Sequence, residues 1–169
     1  MTTASPAFAI SIDPGELYFN AAHFITFDNH CENLHGHNFH VRIDARGENG
    51  SDNLVADFVL ITRLAAGICS KLNDKVLLPA ESNVVRIEQR NSQTYISSYG
   101  KQFMLPDDNC YLLPVSNTTA EMLAWYIGEC LIEALQQEDA VSNMSELSIA
   151  VEESSHQWGI YRSVITHGD

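Results

Sequence analysis

The strictest constraint in this sequence is an alternation of two kinds of side chain over residues 35–46, which read HGHNFHVRIDAR. Counting every second residue from His35 to Ala45, the first two are histidines and the other four are apolar, whereas the residues between them are polar or glycine. Because successive side chains of a strand point to opposite faces, the pattern predicts a long strand with one buried face. His35 and His37 should then point inward, and His40 should point toward solvent.

The rest of the chain predicts further strands and two helices. Asp57 is expected to cap a helix over residues 57–72, whose apolar residues have helical spacing. A second helix should run from about 119 to 136, with Thr118 as its N-cap and Glu121 at the third helical position of a capping box. Strands are expected at 7–12, 16–25 and 35–46, in short segments within 84–105, and in the C-terminal pair ELSIAVEES and WGIYRSVIT. At 169 residues, we expect one α+β domain over residues 1–169.

Composition excludes several classes of function. Nine basic residues against 22 acidic ones give a formal net charge of -13, which argues against binding to nucleic acid phosphates. The longest apolar run is broken by Arg63, so we expect no membrane span. The N-terminus lacks the basic segment of a signal peptide, and the four cysteines show no close pairing pattern. We therefore expect a cytoplasmic protein with reduced thiols.

Three histidines suggest a metal site. Two histidines at i and i+2 on one strand face lie roughly 6–7 Å apart, so the rings of His35 and His37 can converge on one ion. His23 lies on the apolar face of the preceding predicted strand. Three imidazoles with an open fourth position are typical of catalytic zinc, although core histidines bonded to backbone are the alternative. Nothing in the sequence places His30, His156 or His167 near this group.

Three further residues stand out beside the histidines. Cys31 precedes His35 by four residues and is either a small buried hydrophobe or, near zinc, a reactive thiolate. Glu32 is either a solvated turn residue or a proton-transfer group. Glu153 continues the apolar face of Leu147, Ile149 and Val151, which is unusual for a carboxylate, whereas Glu152 lies on the other face. We therefore expect Glu153 to point into the site.

Five segments in order resemble one known family. CENLHGH resembles the Cys-x3-His-Gly-His signature of the 6-pyruvoyltetrahydropterin and 6-carboxytetrahydropterin synthases. FNAAHFI, NLVADF, LLPVSNTTAEMLAWYI and VEESSHQWGIY resemble other landmarks of that family. The resemblance implies a T-fold (tunnelling fold), in which an antiparallel sheet packs against two helices. It also implies homo-oligomers, usually hexamers built from two trimers, with active sites between subunits.

The resemblance also implies roles for individual residues. Zinc would be bound by His23, His35 and His37, and Cys31 would be the reactive thiol. Glu153 would accept hydrogen bonds from the two adjacent N–H groups of a pterin. Apart from the resemblance, Thr118 and Thr119 lie at a predicted helix N-terminus, which can bind an anion or a pterin carbonyl, although capping is the alternative. The substrate implied is 7,8-dihydroneopterin triphosphate or a close relative, and the reaction is that of a zinc-dependent synthase or carbon-oxygen lyase.

One segment departs from the family pattern. The family generally carries Asp-His after the first helix as a proton relay with the cysteine, and Asn73 and Asp74 occupy these positions here. Losing a general base typically costs ~10²–10⁴ in rate. Three outcomes stay open: Asp74 acts as acid or base, Glu32 transfers the proton in a dihydroneopterin side-chain cleavage, or the protein binds zinc and pterin without the usual turnover.

Overall fold

The computed structural model describes residues 8–13, 15 and 17–166. The strands within these ranges are β1 (Phe8–Ile12), β2 (Tyr18–His23), β3 (Thr26–Phe27), β4 (His30–Cys31), β5 (His35–Gly47), β6 (Lys75–Pro79), β7 (Arg86–Arg90), β8 (Gln93–Ser98), β9 (Lys101–Pro106), β10 (Cys110–Leu113), β11 (Met144–Ser154) and β12 (Gln157–Val164). The helices are α1 (Phe58–Leu72) and α2 (Ala120–Gln137), and one 3₁₀ turn spans Asp107–Asn109. Neither helix in the described ranges has the length and apolar character needed to cross a bilayer.

Seven strands form the main sheet, which is mostly antiparallel. Its order is β10-β6-β2-β5-β11-β12, with β1 paired to the far end of β5. The central strand β5 pairs antiparallel with β1, β2 and β11. The short strand β6 instead pairs in parallel with β2 and β10, and the sequence patterns do not predict these two pairings.

The predicted faces of β5 are confirmed. Phe39, Val41, Ile43 and Ala45 are at most 1% exposed, and β2 and β11 extend the same apolar layer. Both helices cover this layer with their apolar stripes. Burying each large apolar side chain stabilises the fold by about 1.5–3 kcal/mol. Because a shift of one residue would turn these side chains to the opposite face, their burial fixes the register of the strands. The buried stripe residues are Ile61, Ala65, Ile68 and Leu72 of α1, and Leu123, Ala124, Ile127, Leu131 and Leu135 of α2.

The helix caps confirm one prediction and correct another. The Asp57 carboxylate accepts a hydrogen bond from the backbone N–H of Val59 at 2.8 Å, as expected of an N-cap. The prediction that Thr118 caps α2 is wrong, because Thr119 is the N-cap and accepts from Met122. The Thr118 hydroxyl is buried and donates to the Phe24 carbonyl at 2.8 Å. This bond attaches the segment before α2 to the chain just after β2.

The N-terminus of α2 lies directly on β12. A Cβ atom at Gly159 would lie 2.3 Å from the carbonyl carbon of Ala120, closer than real Cβ contacts allow. Glycine is therefore required at this crossing. Because glycine has no side chain, the start of α2 can approach β12 this closely.

Strands β7, β8 and β9 form a separate antiparallel sheet. Short strands in this part of the chain were predicted, and the structure confirms them. A second apolar cluster joins this small sheet to the main body, and its buried members are Phe24, Cys31, Leu78, Val85 and Ile96.

Candidate metal and pterin site

The structure brings the three predicted histidines together at one end of the main sheet. His23 on β2 lies directly opposite His35 on β5, and His37 follows on the same face of β5. The ring centroid of His23 lies 4.7 Å from that of His35 and 5.2 Å from that of His37, and the centroids of His35 and His37 are 4.9 Å apart. The antiparallel register of β2 and β5 therefore places all three imidazoles around one point.

Backbone carbonyls orient two of the rings. The Nδ1 of His23 donates to the Thr118 carbonyl at 2.7 Å, and the Nδ1 of His35 donates to the Asn33 carbonyl at 2.8 Å. Because a carbonyl only accepts, the proton of each neutral ring is on Nδ1, and Nε2 keeps its lone pair. The Nε2 atoms of His23 and His37 are buried and have no hydrogen-bond partner among the described residues. His23 combines a ring held by a backbone carbonyl with a buried nitrogen that has no partner among the described residues, which is the arrangement a metal ligand requires.

The environment of His23 favours the form that binds metal. The pKa of His23 is lowered to about 4, chiefly by burial and to a smaller extent by nearby His35 and His37. The hydrogen bond to Thr118 and the charge of Glu32 oppose this shift. The ring is therefore neutral at physiological pH, so a metal ion would not have to displace a proton from it.

A carboxylate completes the group. Glu153 Oε1 lies 3.7 Å from His37 Nε2, and one ligand atom from each of His23, His35, His37 and Glu153 lies within 4.8 Å of the others. The ladder between β11 and β12 shifts between Glu152 and Ser154, so Glu153 is the extra residue of a bulge. Glu152 instead accepts from the backbone N–H of His156 at 2.8 Å. The three imidazoles are a donor set that fits Zn²⁺ with a fourth position left open, and the Glu153 carboxylate lies beside them.

Cys31 and Glu32 have different surroundings although they are neighbours. Cys31 is 1% exposed inside the small apolar cluster. Burial raises the pKa of its thiol, while the Lys101 ammonium and the Ser98 hydroxyl favour the thiolate. The Glu32 carboxylate is half-buried and close enough to His23 to raise the pKa of that ring. Within one chain, Glu32 is the residue of this pair with an electrostatic effect on the histidines.

Asn73 and Asp74 form the turn after α1. The side-chain carbonyl of Asn73 accepts from the backbone N–H of Asn20 at 2.8 Å, and its amide donates to the Asp74 carboxylate at 2.9 Å. Asp74 is exposed and has a left-handed φ of 59°. In the part of the chain that the structure describes, no hydrogen bond or ion pair joins Asp74 to Cys31.

The remaining predicted residues are easily placed. Thr119 caps α2 through its hydroxyl, immediately after the Thr118 carbonyl that orients His23. His30 and His156 are exposed and lie outside the histidine group, as expected. His167 lies outside the described residues. Sequence reasoning missed Thr118 and Asn33 as orienting residues, because both act through backbone carbonyls and carry no side-chain signal.

Comparisons with curated proteins find archaeal relatives. A putative 6-carboxy-5,6,7,8-tetrahydropterin synthase of Methanocaldococcus jannaschii is 30% identical over 150 residues, which cover 88% of this chain and 91% of the relative. A protein of Pyrococcus horikoshii with the same description is 22% identical over 142 residues, covering 83% of this chain and 82% of the relative.

Solved structures match the whole fold. The 6-pyruvoyltetrahydropterin synthase of Plasmodium vivax superposes with a TM-score of 0.89 at 26% identity, covering 95% of this chain and 100% of that one. The 6-pyruvoyl tetrahydropterin synthase of Caenorhabditis elegans has a TM-score of 0.59 at 16% identity, with coverage of 94% and 97%, and shows likeness of fold. The T-fold predicted from the sequence is thereby confirmed. The model of the family described as 6-pyruvoyl tetrahydropterin synthase matches residues 15–164, and the chain belongs to that family.

Proposed function

We propose that the protein is a zinc-dependent pterin synthase or lyase that acts on the side chain of 7,8-dihydroneopterin triphosphate or a close relative. The observation that carries the proposal is the convergence of His23, His35 and His37, with two buried Nε2 atoms lacking partners. Membership of the family supports a pterin as the substrate. Oligomers with sites between subunits, and a cytoplasmic location, belong to the same proposal.

Each residue of the group has a distinct task. His23, His35 and His37 would hold Zn²⁺, which supplies polarisation of a hydroxyl or carbonyl oxygen on the substrate side chain. Glu153 would accept two N–H donors from the pyrimidine edge of a pterin through charge-assisted hydrogen bonds. Because Glu153 comes from β11 and the histidines come from β2 and β5, the pterin ring and its side chain would be held by different strands.

The proton-transfer step distinguishes two reactions. In the first, Cys31 moves protons between side-chain carbons, with Asp74 of a neighbouring subunit as the partner acid or base. In the second, Glu32 acts as the base and the side chain is cleaved. Two observations favour this second candidate: Cys31 is buried with a raised pKa, and Glu32 acts on His23. Solved variants of the Plasmodium vivax protein are described as replacing a catalytic glutamate, which shows that a carboxylate serves in a relative.

The Asn73-Asp74 pair supports one further alternative, a zinc- and pterin-binding protein without turnover. Asn73 uses its amide to hold β2 and Asp74, so this turn is structurally engaged. An exposed carboxylate near a thiol disfavours the thiolate by like-charge repulsion. A relay built on Asp74 would therefore be weaker than one built on histidine.

The test is incubation of the purified, zinc-loaded protein with 7,8-dihydroneopterin triphosphate, followed by mass analysis. Release of triphosphate with a pyruvoyl or carboxy product would identify a synthase. Release of glycolaldehyde, or of its phosphorylated form, would identify side-chain cleavage. No product, with tight pterin binding retained, would overturn the enzymatic proposal and favour the non-catalytic alternative.

A further inference from the structure

The small sheet carries an unusual concentration of positive charge for this protein. Arg86 and Lys101 line one shallow groove of about 280 Å³, although the whole chain has nine basic and 22 acidic residues. The other polar residues that line the groove are Ser97, Ser98, Tyr99 and Gln102, and no acidic residue lines it. Hydroxyl, amide and cationic donors without carboxylates form a site that suits an anion.

Neither cation of the groove is neutralised in the part of the chain that the structure describes. Arg86 makes no ion pair there, and Lys101 donates to the neutral side-chain carbonyl of Asn33 at 2.7 Å. Arg90, on the same strand as Arg86, is different: it lies 3.6 Å from Glu88 and 4.3 Å from the centroid of the Tyr95 ring. The groove therefore presents two cations that no carboxylate of the described residues neutralises, which favours an anionic ligand.

A buried hydroxyl gives a second, independent indication. Ser98 is 4% exposed, and its Oγ lies near the Cys31 thiol without making a hydrogen bond of good geometry within the described residues. The residue lines the same groove as the two cations. A buried polar atom without a partner is costly, so an acceptor supplied by a ligand would satisfy it.

The position of the groove links it to the proposed reaction. Lys101 bonds to the side chain of Asn33, and the backbone carbonyl of Asn33 orients the His35 ring. Glu32 is the preceding residue. We propose that this groove binds the phosphate chain of the substrate, with Arg86 and Lys101 as the phosphate contacts and Ser98 as a hydroxyl donor. This inference rests on the proposed function, because the phosphate chain is part of the substrate named there.

The first measurement is calorimetric titration of the full-length protein with inorganic triphosphate at low ionic strength. We expect Arg86→Gln and Lys101→Gln each to weaken binding by about tenfold or more, as expected for loss of a charge-assisted contact. Arg90→Gln is the matched control, because it removes the same charge from the same sheet outside the groove. Equal binding by all four proteins would overturn the proposal.

The second measurement compares KM for dihydroneopterin triphosphate and for unphosphorylated dihydroneopterin. Both groove variants should raise KM for the phosphorylated compound and leave KM for the other unchanged. Groove-dependent binding of triphosphate with no change in KM would show that the phosphate comes from a separate ligand, and would overturn the substrate assignment. If no pterin is turned over but triphosphate binding still depends on Arg86 and Lys101, the proposed function fails while the phosphate site stands.

Discussion

The groups that would bind the metal and the pterin differ sharply from those that would move protons. His23, His35, His37 and Glu153 assemble within a single chain, on three strands of one sheet. Cys31 is instead packed in the small apolar cluster, and Asp74 is exposed on the turn after α1. The candidate metal and pterin ligands therefore come together within one chain, whereas the residues of the expected relay do not.

This difference changes how Asn73 and Asp74 should be interpreted. A single chain offers Glu32 close to the histidines and keeps Cys31 protonated through burial, which raises the pKa of its thiol. If the chemistry depends on Cys31 and Asp74, it requires a second subunit. If it depends on Glu32, the candidate base and the three histidines belong to the same chain. The following predictions separate the two cases.

The largest expected effect is on zinc binding. His37→Ala removes one of three converging imidazoles, so we expect loss of most bound zinc by elemental analysis after dialysis, and the same for His35→Ala. His40→Ala is the control, because residue 40 lies on the opposite face of β5 from His37. Full zinc retention in His37→Ala would show that these rings are core histidines.

The second prediction compares the two candidate proton-transfer residues. Glu32→Gln keeps the shape of the side chain and removes the base, so we expect kcat to fall by about 10²–10⁴-fold. Cys31→Ala should lower kcat by less than about tenfold, because the thiol is buried and protonated. Steady-state kinetics with the same zinc content in each protein makes the measurement. A larger loss of kcat in Cys31→Ala than in Glu32→Gln would contradict this prediction and favour a relay between Cys31 and Asp74.

The third prediction concerns the stability of the zinc-free protein. The pKa of His23 is lowered in the folded state to about 4 from 6.5, so the unfolded chain binds more protons between these values. The contribution of His23 to the free energy of unfolding should therefore be fully present above pH 6.5 and should be lost as the pH falls toward 4. The loss is about 3 kcal/mol at most. Urea unfolding across this range measures it.

His23→Asn is the control for that measurement, since asparagine keeps a side-chain N–H for the Thr118 carbonyl but does not titrate. Its stability should depend less steeply on pH. Identical slopes in the two proteins would mean that His23 is not the group responsible.

The sequence predicts the candidate metal and pterin ligands well because strand alternation is a strict geometric rule. Period-two counting places His23, His35 and His37 on buried faces, and the structure shows these rings together. The same counting singles out Glu153 over Glu152, although the ladder between β11 and β12 shifts at this point. In this case an irregularity in the strand left the predicted direction unchanged.

The remaining features depend on contacts between distant segments. The parallel pairing of β6 with β2 has no local signature, and the cap of α2 differs by one residue because Thr118 is used to hold Phe24. Cys31 is buried and Glu32 is only half-buried because the small sheet packs against the main body at this point. Sequence periodicity does not predict this packing. Family resemblance identifies the residue types but does not reveal which of the two neighbours acts electrostatically on His23.

Gly159 has a consequence beyond the strand on which it lies. The start of α2 rests on this residue, and the carbonyl just before that helix fixes which nitrogen of His23 is free. An added methyl group at residue 159 would have to lift the helix, and the carbonyl would move with it. The tautomer of His23 thus depends partly on how closely α2 approaches β12, and therefore on a residue that lies outside the histidine group.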